Sequence, residues 1–436
     1  MNILWLNAGL LLPLDKGGKL RTWHLMRHLA ANHDITYLSF ADPADTDAHR
    51  AGMREVCTRL ETVPRSDPPK GTLRFYLDAG KYITDPVPYA VAKYRSASYA
   101  ARVQELLGAR KFDAVVCDFL VPLVNMPDRL PCPAILFTHN VEAEIWRRHA
   151  ETAANPVSRR LLAQQWRRML RFERNALARF DLVLAVSEAD GVTFERLYPN
   201  ALRTPVHVVN TGVDTQYFTP AETPTRRAHV VFTGSMDWLP NEDGMLYFAR
   251  EIFPRIRQQE PEATLSIIGR SPTPAVRRLG EDPAIEVTGR VDDVRPHVAA
   301  GSVYVVPLRI GGGTRLKIFE AMSMGKAVVS TTVGAEGLPV THGADIFIAD
   351  DPAGFADAVV RLIRNDRERQ ELEAAARRLV VEQYDWSAVA HDFEDALDRI
   401  CSRTHSPAAL QRTGHRGSGS VPAQERTDGT RLVGSI

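Results

Sequence analysis

Residues 307–325 read Pro-Leu-Arg-Ile-Gly-Gly-Gly-Thr-Arg-Leu-Lys-Ile-Phe-Glu-Ala-Met-Ser-Met-Gly and hold the densest set of groups able to do chemistry. They follow the apolar run Val303–Val306 and lead into a stripe of Leu316, Phe319 and Met322 or Met324, so a strand, a glycine loop and a helix start succeed one another. Gly311, Gly312 and Gly313 allow close backbone approach to a ligand, and the N–H groups of a helix start attract an anion. Arg315 and Lys317 add positive charge there, with Glu320 shortly beyond. At 1.5 Å of rise per residue the carboxylate lies roughly 6–9 Å further along the axis, which suits a diphosphate at the helix tip and a ribose diol on the carboxylate. Neither the G-x-x-x-x-G-K-[ST] loop nor the G-x-G-x-x-G fingerprint is matched, so triphosphate hydrolysis and hydride transfer lose support.

A second glycine pair lies in Asp15-Lys-Gly-Gly-Lys-Leu-Arg21, after the first apolar run and before the helical segment Thr22–Ala30. Gly17 and Gly18 can turn N–H groups toward a phosphate or sugar, and the plain alternative is an ordinary strand-to-helix turn. His139 closes the run Ala134–Thr138 and opens Thr138-His-Asn-Val-Glu142. A strand-end histidine in a cleft can bond a sugar hydroxyl or polarise a reacting centre. Asp118, Glu142 and Asp292 are cleft carboxylates without an assigned role; no His, Asp and Glu spacing demands a metal, so neither metal nor cofactor is expected. Arg160, Gln164, Arg167, Arg171 and Arg174 recur at helical spacing opposite Leu162, Trp166, Met169 and Leu170. Such a stripe is either a solvated face or a surface for anionic lipid.

The elements that must position these groups form two sets of short Val- and Ile-rich runs alternating with helical segments, the pattern of parallel sheets covered on both faces. The first set is Ile3–Leu6, Ile35–Phe40, Ala114–Cys117, Ala134–Thr138, Leu182–Val186 and Val206–Val209; the second is Val230–Thr233, Thr264–Ile268, Ile285–Thr288, Val303–Val306, Ala327–Ser330 and Ile346–Ile348. Turn chemistry from Asn210 to Arg227 separates them. The expectation is an α/β chain with domains at 1–210 and 211–384, a helix at about 385–401 returning to the first, and a disordered tail at 402–436. A length of 436 residues suits two or three compact units. A formal net charge of +1 leaves no global field for nucleic acid. Cys57, Cys117, Cys132 and Cys401 lack C-x-x-C spacing, which fits a reducing cytoplasm, and no apolar run reaches the ~18 residues of a membrane span.

Further markers are Phe232-Thr-Gly-Ser-Met-Asp-Trp-Leu-Pro-Asn241, Ile267-Ile-Gly-Arg270, Val287-Thr-Gly-Arg-Val-Asp292 and Glu320-Ala-Met-Ser-Met-Gly-Lys-Ala-Val-Val329. With them the chain resembles the retaining nucleotide-sugar glycosyltransferases of the GT-B fold, family-four group, over most of residues 1–400. The resemblance implies two Rossmann-like, doubly wound domains facing a central cleft, with the donor in the C-terminal domain and Glu320 on its ribose hydroxyls. It also implies Gly234 and Ser235 at the diphosphate, the 289–292 loop near the base, and Gly17, Gly18 and His139 near the donor sugar. The departing phosphate, rather than a protein nucleophile, would deprotonate the acceptor. Two positions depart from the family. Gly312 stands where many members have a sugar-contacting Glu, so backbone amides of Gly311–Thr314 must serve. Met236-Asp237-Trp238 replaces an Arg and Lys, so Arg315 and Lys317, helped by Arg270, must neutralise the diphosphate.

These readings imply a cytoplasmic transferase moving a sugar from a nucleotide-sugar to a glycan or lipid-linked acceptor in polysaccharide, lipopolysaccharide or glycolipid assembly, with the inner face of the plasma membrane as a second location. A nucleotide-sugar epimerase or hydrolase, and a non-catalytic nucleotide-sugar-binding subunit, stay open on the same fold.

Overall fold

The computed structural model describes residues 1–404 except 67–71, 73–79, 83, 154, 222–223 and 311–315. Gly311, Gly312, Gly313, Thr314 and Arg315 therefore lie outside the described residues, as does most of the expected tail.

The apolar runs form two parallel sheets because their central strands are covered on both faces. The first comprises β1 (Asn2–Leu6), β2 (Asp34–Ala41), β3 (Arg59–Pro64), β4 (Ala114–Asp118), β5 (Ala134–Phe137), β6 (Leu182–Ala185) and β7 (His207–Val208), in the order β3-β2-β1-β4-β5-β6-β7. The second comprises β8 (His229–Thr233), β9 (Thr264–Ile268), β10 (Ile285–Gly289), β11 (Val303–Val306), β12 (Val328–Ser330) and β13 (Phe347–Ile348), in the order β10-β9-β8-β11-β12-β13. Each order reverses once, between β1 and β4 and between β8 and β11. Open parallel sheets bind ligands in the crevice at that reversal, outside the carboxyl ends of the strands. This is the two-domain GT-B architecture.

β3 has no counterpart among the runs read from sequence. It is an edge strand paired only with β2, and Arg59, Glu61 and Thr62 interrupt its apolar pattern. The other runs appear with ends shifted by a residue or two.

Seven helices matter for the site: α1 (Gly17–Leu29), α2 (Glu142–Glu151), α3 (Pro156–Leu177), α4 (Glu188–Leu197), α5 (Leu239–Tyr247), α6 (Leu316–Ser323) and α7 (Trp386–Thr404). One expectation needs correction. Gly17 and Gly18 are not a loop before a helix at Thr22; they are the first turn of α1, with Lys16 as its N-cap in extended conformation. Their N–H groups thus belong to the unsatisfied set at a helix start.

α7 ends the described chain by packing across the first sheet. Trp386, Val389, Phe393 and Leu397 join the core beneath β1 and β5. Phe393 is fully buried, stacked on Trp5 at 5.7 Å between ring centroids and edge-on to Phe137 at 5.4 Å. The chain thus crosses between the sheets twice, and the crossings lie side by side. Val213 N donates to Tyr384 O (2.7 Å), and Thr215 Oγ1 donates to Asp385 Oδ2 (2.5 Å). Gly212 has to be glycine, since a Cβ there would sit 2.7 Å from the Trp386 ring.

Removing the Phe393 ring opens a cavity between α7 and the first sheet. Phe393→Ala should lower unfolding free energy by about 3–5 kcal/mol in urea titration. A loss below about 1 kcal/mol would show that α7 is not part of that core.

Candidate active-site cleft

At the reversal of the first sheet stands Asp118, the last residue of β4 and fully buried. Its Oδ2 accepts from Trp5 Nε1 (3.0 Å), Asn7 Nδ2 (2.7 Å) and Thr22 Oγ1 (2.8 Å), which belong to β1, the residue after it, and α1. Its Oδ1 lies 2.7 Å from His139 Nε2. The other ring nitrogen, Nδ1, lies 2.9 Å from Arg21 Nη1. A guanidinium can only donate, so Nδ1 accepts and the proton sits on Nε2, donated to Asp118. Burial, joined by the Arg21 charge and opposed by Asp118, holds the His139 pKa below its ordinary value, so the ring is neutral at pH 7.

The ring is also clamped sideways. Phe119 stacks on it at 3.9 Å and 8°. Phe119 has φ +64°, a conformation that a bulky residue adopts only when its surroundings impose it. A Cβ on Gly18 would meet Phe119 Cζ at 2.8 Å, so glycine at 18 is what lets the start of α1 approach this stack. Below the histidine, the start of α2 is fixed by fully buried Glu173 of α3. Its carboxylate accepts from Glu142 N (3.0 Å), Ala143 N (3.2 Å) and Tyr198 Oη (2.6 Å).

The reversal of the second sheet gathers the other group. The backbone turns after β8 at Gly234 and Ser235 and after β9 at Gly269 and Arg270. A Cβ on Gly269 would lie 1.7 Å from Gly234 O, so the two turns touch backbone to backbone. Arg270 Nε donates to Ser235 Oγ (2.8 Å), and Ser235 Oγ donates to Asp237 (2.5 Å). From α6, Lys317 reaches the same turn: its Nζ donates to Asn241 Oδ1 (2.8 Å) and lies 4.1 Å from the centre of the Phe232 ring. Asn241 in turn donates to Ser235 O (2.9 Å). A Cβ on Gly234 would sit 2.7 Å from Lys317 Nζ, so this glycine keeps open the space over the cation. One turn on, Glu320 is partly buried, and burial pushes its carboxyl up to about 7 against the opposing pull of Lys317.

A cavity of about 520 Å³ opens on the first of these groups: Gly17, Gly18, Arg21, Phe119 and His139 line it from the first sheet, and Glu336 and Gly337, from the segment after β12, face them from the second domain. Of the residues expected from sequence, His139, Gly17 and Gly18 meet around Asp118, while Gly234, Ser235, Arg270 and Lys317 meet around Asn241, with Glu320 one turn beyond Lys317. Arg21, Phe119, Asn241 and Glu173 were not among those expectations, and Asp118 had been left without a role. Thr22 and Asp118 carried a usable signal, since both are polar residues inside apolar patterns. Among the described residues no group of three or more His, Cys, Asp or Glu could hold a metal ion, and no helix is long and apolar enough to cross a membrane.

Residues 16–217 match the model for Glycosyltransferase Family 4, and residues 227–365 the model for Glycosyl transferases group 1. The chain belongs to this family. It is 32% identical over 158 residues to the phosphatidyl-myo-inositol mannosyltransferase of Mycobacterium leprae. Over 165 residues it is 26% identical to an uncharacterized 44.6 kDa protein in the cps region of Klebsiella pneumoniae. These matches span 35% and 36% of this chain and 42% of each relative's length. HepE of Anabaena, crystallised with UDP and glucose, superposes with a TM-score of 0.61 at 16% identity over 92% of this chain and all of that one. Sucrose-phosphate synthase of Thermosynechococcus elongatus does so with a TM-score of 0.63, also at 16% identity, 92% and 100% coverage. At such identity the likeness is one of fold, and it is the GT-B fold.

Burial sets the titration of His139 in this family-four protein, and its hydrogen bonds set its tautomer. A histidine neutral in the folded state, with an ordinary pKa near 6.5 when unfolded, costs stability only as pH falls below that value. Nitrogen-15 NMR should therefore find Nε2 protonated and Nδ1 bare from pH 8 to about 6. In Asp118→Asn, where an amide N–H would face Nε2, that pattern should be lost. A wild-type midpoint above 6.5, or an unchanged pattern in the variant, would refute the arrangement.

Proposed function

We propose that the chain is a glycosyltransferase that moves a sugar from a nucleotide-sugar to a glycan or lipid-linked acceptor, with retention of anomeric configuration, in polysaccharide or glycolipid assembly. The observation that carries the reading is the cavity at the reversal of the first sheet, with His139 and Gly18 on one wall and Glu336 and Gly337 of the second domain, from the segment after β12, on the other. Family membership and the GT-B fold support it. So do the ligands of two relatives' names: HepE was crystallised with UDP and glucose, and the Mycobacterium leprae relative is named a mannosyltransferase.

In this reading the donor diphosphate lies over the Gly234 turn. Lys317, with Arg270 and, from the undescribed loop, Arg315, offsets the charge that grows as the sugar–phosphate bond breaks. The Glu320 carboxylate accepts the two ribose hydroxyls. Backbone N–H groups of Gly17 and Gly18 at the start of α1, and backbone amides of Gly311–Thr314, face the sugar. His139, neutral and with both ring nitrogens engaged, positions and polarises rather than taking a proton. The acceptor hydroxyl gives its proton to the departing phosphate on the same face, so no protein nucleophile and no metal or other cofactor enter the scheme.

The membrane side of the proposal rests on α3. Arg160, Gln164, Arg167, Arg171 and Arg174 are all exposed, and Val157 and Leu161, 70% and 55% exposed, project beside the first of them. A cationic face with exposed aliphatic side chains is built to rest on anionic headgroups. The protein would then work at the inner face of the plasma membrane. Flotation with phosphatidylglycerol vesicles should recover the wild type and release a variant with the four arginines changed to Gln; equal recovery of both would remove the membrane contact.

The donor is tested by a thermal-shift panel of UDP, GDP, ADP and TDP with their sugar conjugates, since a ligand specific for the folded state raises stability by RT ln(1 + [L]/Kd). One nucleoside should shift the melting temperature, and Glu320→Ala should abolish that shift. No shift with any member would refute donor binding. Turnover into water without any acceptor would point to a hydrolase instead.

The raised Glu320 pKa adds a pH signature. Its unfolded carboxyl titrates near 4.5, so the unliganded protein loses stability from this group as pH rises from 4.5 toward 7. The ribose diol needs the ionised form. Affinity for the selected nucleotide-sugar, whose diphosphate diester does not titrate in this range, should fall below pH 7 with a limiting slope of about tenfold per unit. Glu320→Gln should bind weakly and without that slope; a pH-independent wild type would reject the carboxylate's role.

A further inference from the structure

We propose that the acceptor entering this cleft is anionic, a phosphate-bearing glycan held through Arg148 of α2 and Arg196 of α4; the inference rests on the transferase reading above. Glu144, Ile145 and Arg148 line the cavity from one face of α2, and Asp190, Thr193 and Arg196 from one face of α4. Each set follows the three- and four-residue steps that bring side chains onto one side of a helix. The two faces converge on the volume that also touches Gly18 and His139.

Charge accounting separates these two arginines from their neighbours. Arg147 is neutralised by Glu144 (2.8 Å) and Glu151 (2.7 Å). Arg21 keeps its charge but has its Nε and Nη1 donors engaged by Thr211 and His139. Arg148 and Arg196 are exposed to the cavity with no ion pair or side-chain hydrogen bond among the described residues. Asp190, whose carboxylate feels the Arg148 charge, already accepts from Ser187 Oγ at 2.7 Å. A cation in the last turn of a helix is favoured by the helix dipole, which accounts for an arginine at each position. It does not account for both opening onto one sugar-sized cavity beside His139. A phosphate monoester carries about −1.5 to −2 charges and matches the planar fork of a guanidinium. Both arginines stand on the first-domain wall, across the cavity from Glu336 and Gly337, so they serve the acceptor rather than the donor diphosphate at Lys317.

A free sugar phosphate and a lipid-linked sugar diphosphate present the same chemistry, and the test separates them. With the nucleoside diphosphate selected by the thermal-shift panel present in excess to fill the donor site, binding of glucose 1-phosphate, farnesyl diphosphate and methyl glucoside would be measured by calorimetry on the wild type. The same titrations would be run on Arg148→Gln/Arg196→Gln, on the double Lys variant, and on Lys317→Ala. The expected result is binding of a charged probe but not methyl glucoside, at least tenfold weaker in the Gln double variant, largely restored by Lys and kept in Lys317→Ala. Preference for glucose 1-phosphate marks a soluble acceptor, and preference for farnesyl diphosphate a lipid-linked one. The inference is overturned by equal binding of methyl glucoside, by insensitivity to the Gln changes, by loss only in Lys317→Ala, or by no charged probe binding the wild type. The nucleotide shift, measured separately in every variant, reports on the transferase reading: its absence from the wild type with every nucleotide of the panel would sink that reading whatever the anion results.

Discussion

One buried carboxylate holds the first half of the cleft together. Asp118 accepts from β1, from the residue after β1, from α1 and from His139, and so ties a strand reversal to the helix whose first turn is Gly17-Gly18. A buried charge is tolerated only when its acceptor sites are filled. Each of its four donors is therefore held in place by the cost of leaving Asp118 unsatisfied. The same bond decides the His139 tautomer, which decides that Nδ1 accepts from Arg21. Arg21 also donates to Thr211 at 2.8 Å, on the first crossing between the domains. A chain of hydrogen bonds thus runs from the fixed core of one sheet through the candidate catalytic histidine to the segment about which the domains would close.

That crossing is not a loose linker. It lies beside the return crossing at Tyr384-Asp385, bonded to it, and the glycine at 212 accommodates the Trp386 ring. Trp386 in turn stacks on His24 of α1 at 5.2 Å. Both connections therefore converge on α1, the helix that carries Gly17, Gly18, Arg21 and Thr22. Domain closure of the kind that assembles many active sites would pivot next to that helix and leave its first turn aimed at the cavity.

Much of this was legible in the chain. Parallel strands buried on both faces announce themselves as Val and Ile runs, which is why the two sheets and the break between them can be read directly. β3 could not, because an edge strand is half solvated and Arg59, Glu61 and Thr62 erase its pattern. His139, Lys317 and Glu320 stood out by their place at strand and helix ends. The groups that orient them did not. Asp118 takes three of its four donors from 96 to 113 residues away in sequence, and Glu173 caps a helix that starts 31 residues earlier. Partnerships of that kind are made by topology and leave no spacing to read. Gly17-Gly18 was legible as to residue type but not conformation, since glycine is poor in a helix interior and the tight approach of Phe119 explains only Gly18 at the start of one.

The electrostatic state of the unliganded cleft follows from the same burial. On the first wall, His139 is held neutral and the Arg21 guanidinium is pushed down to about 10, still protonated at neutral pH. On the second, Lys317 is set over an aromatic ring, and Glu320 is raised to about 7. Each shift has burial as its largest cause, and each moves the group toward its neutral form. The cleft keeps the positive charge of Arg21 beside the exposed Arg148 and Arg196, and leaves the Glu320 carboxyl close to its titration point. Its field is completed only by a ligand that brings anionic groups to the lysine and hydroxyl donors to the carboxylate. In the proposed reading both requirements are met together by one molecule, a nucleoside diphosphate, because the lysine and the carboxylate lie one helical turn apart on α6.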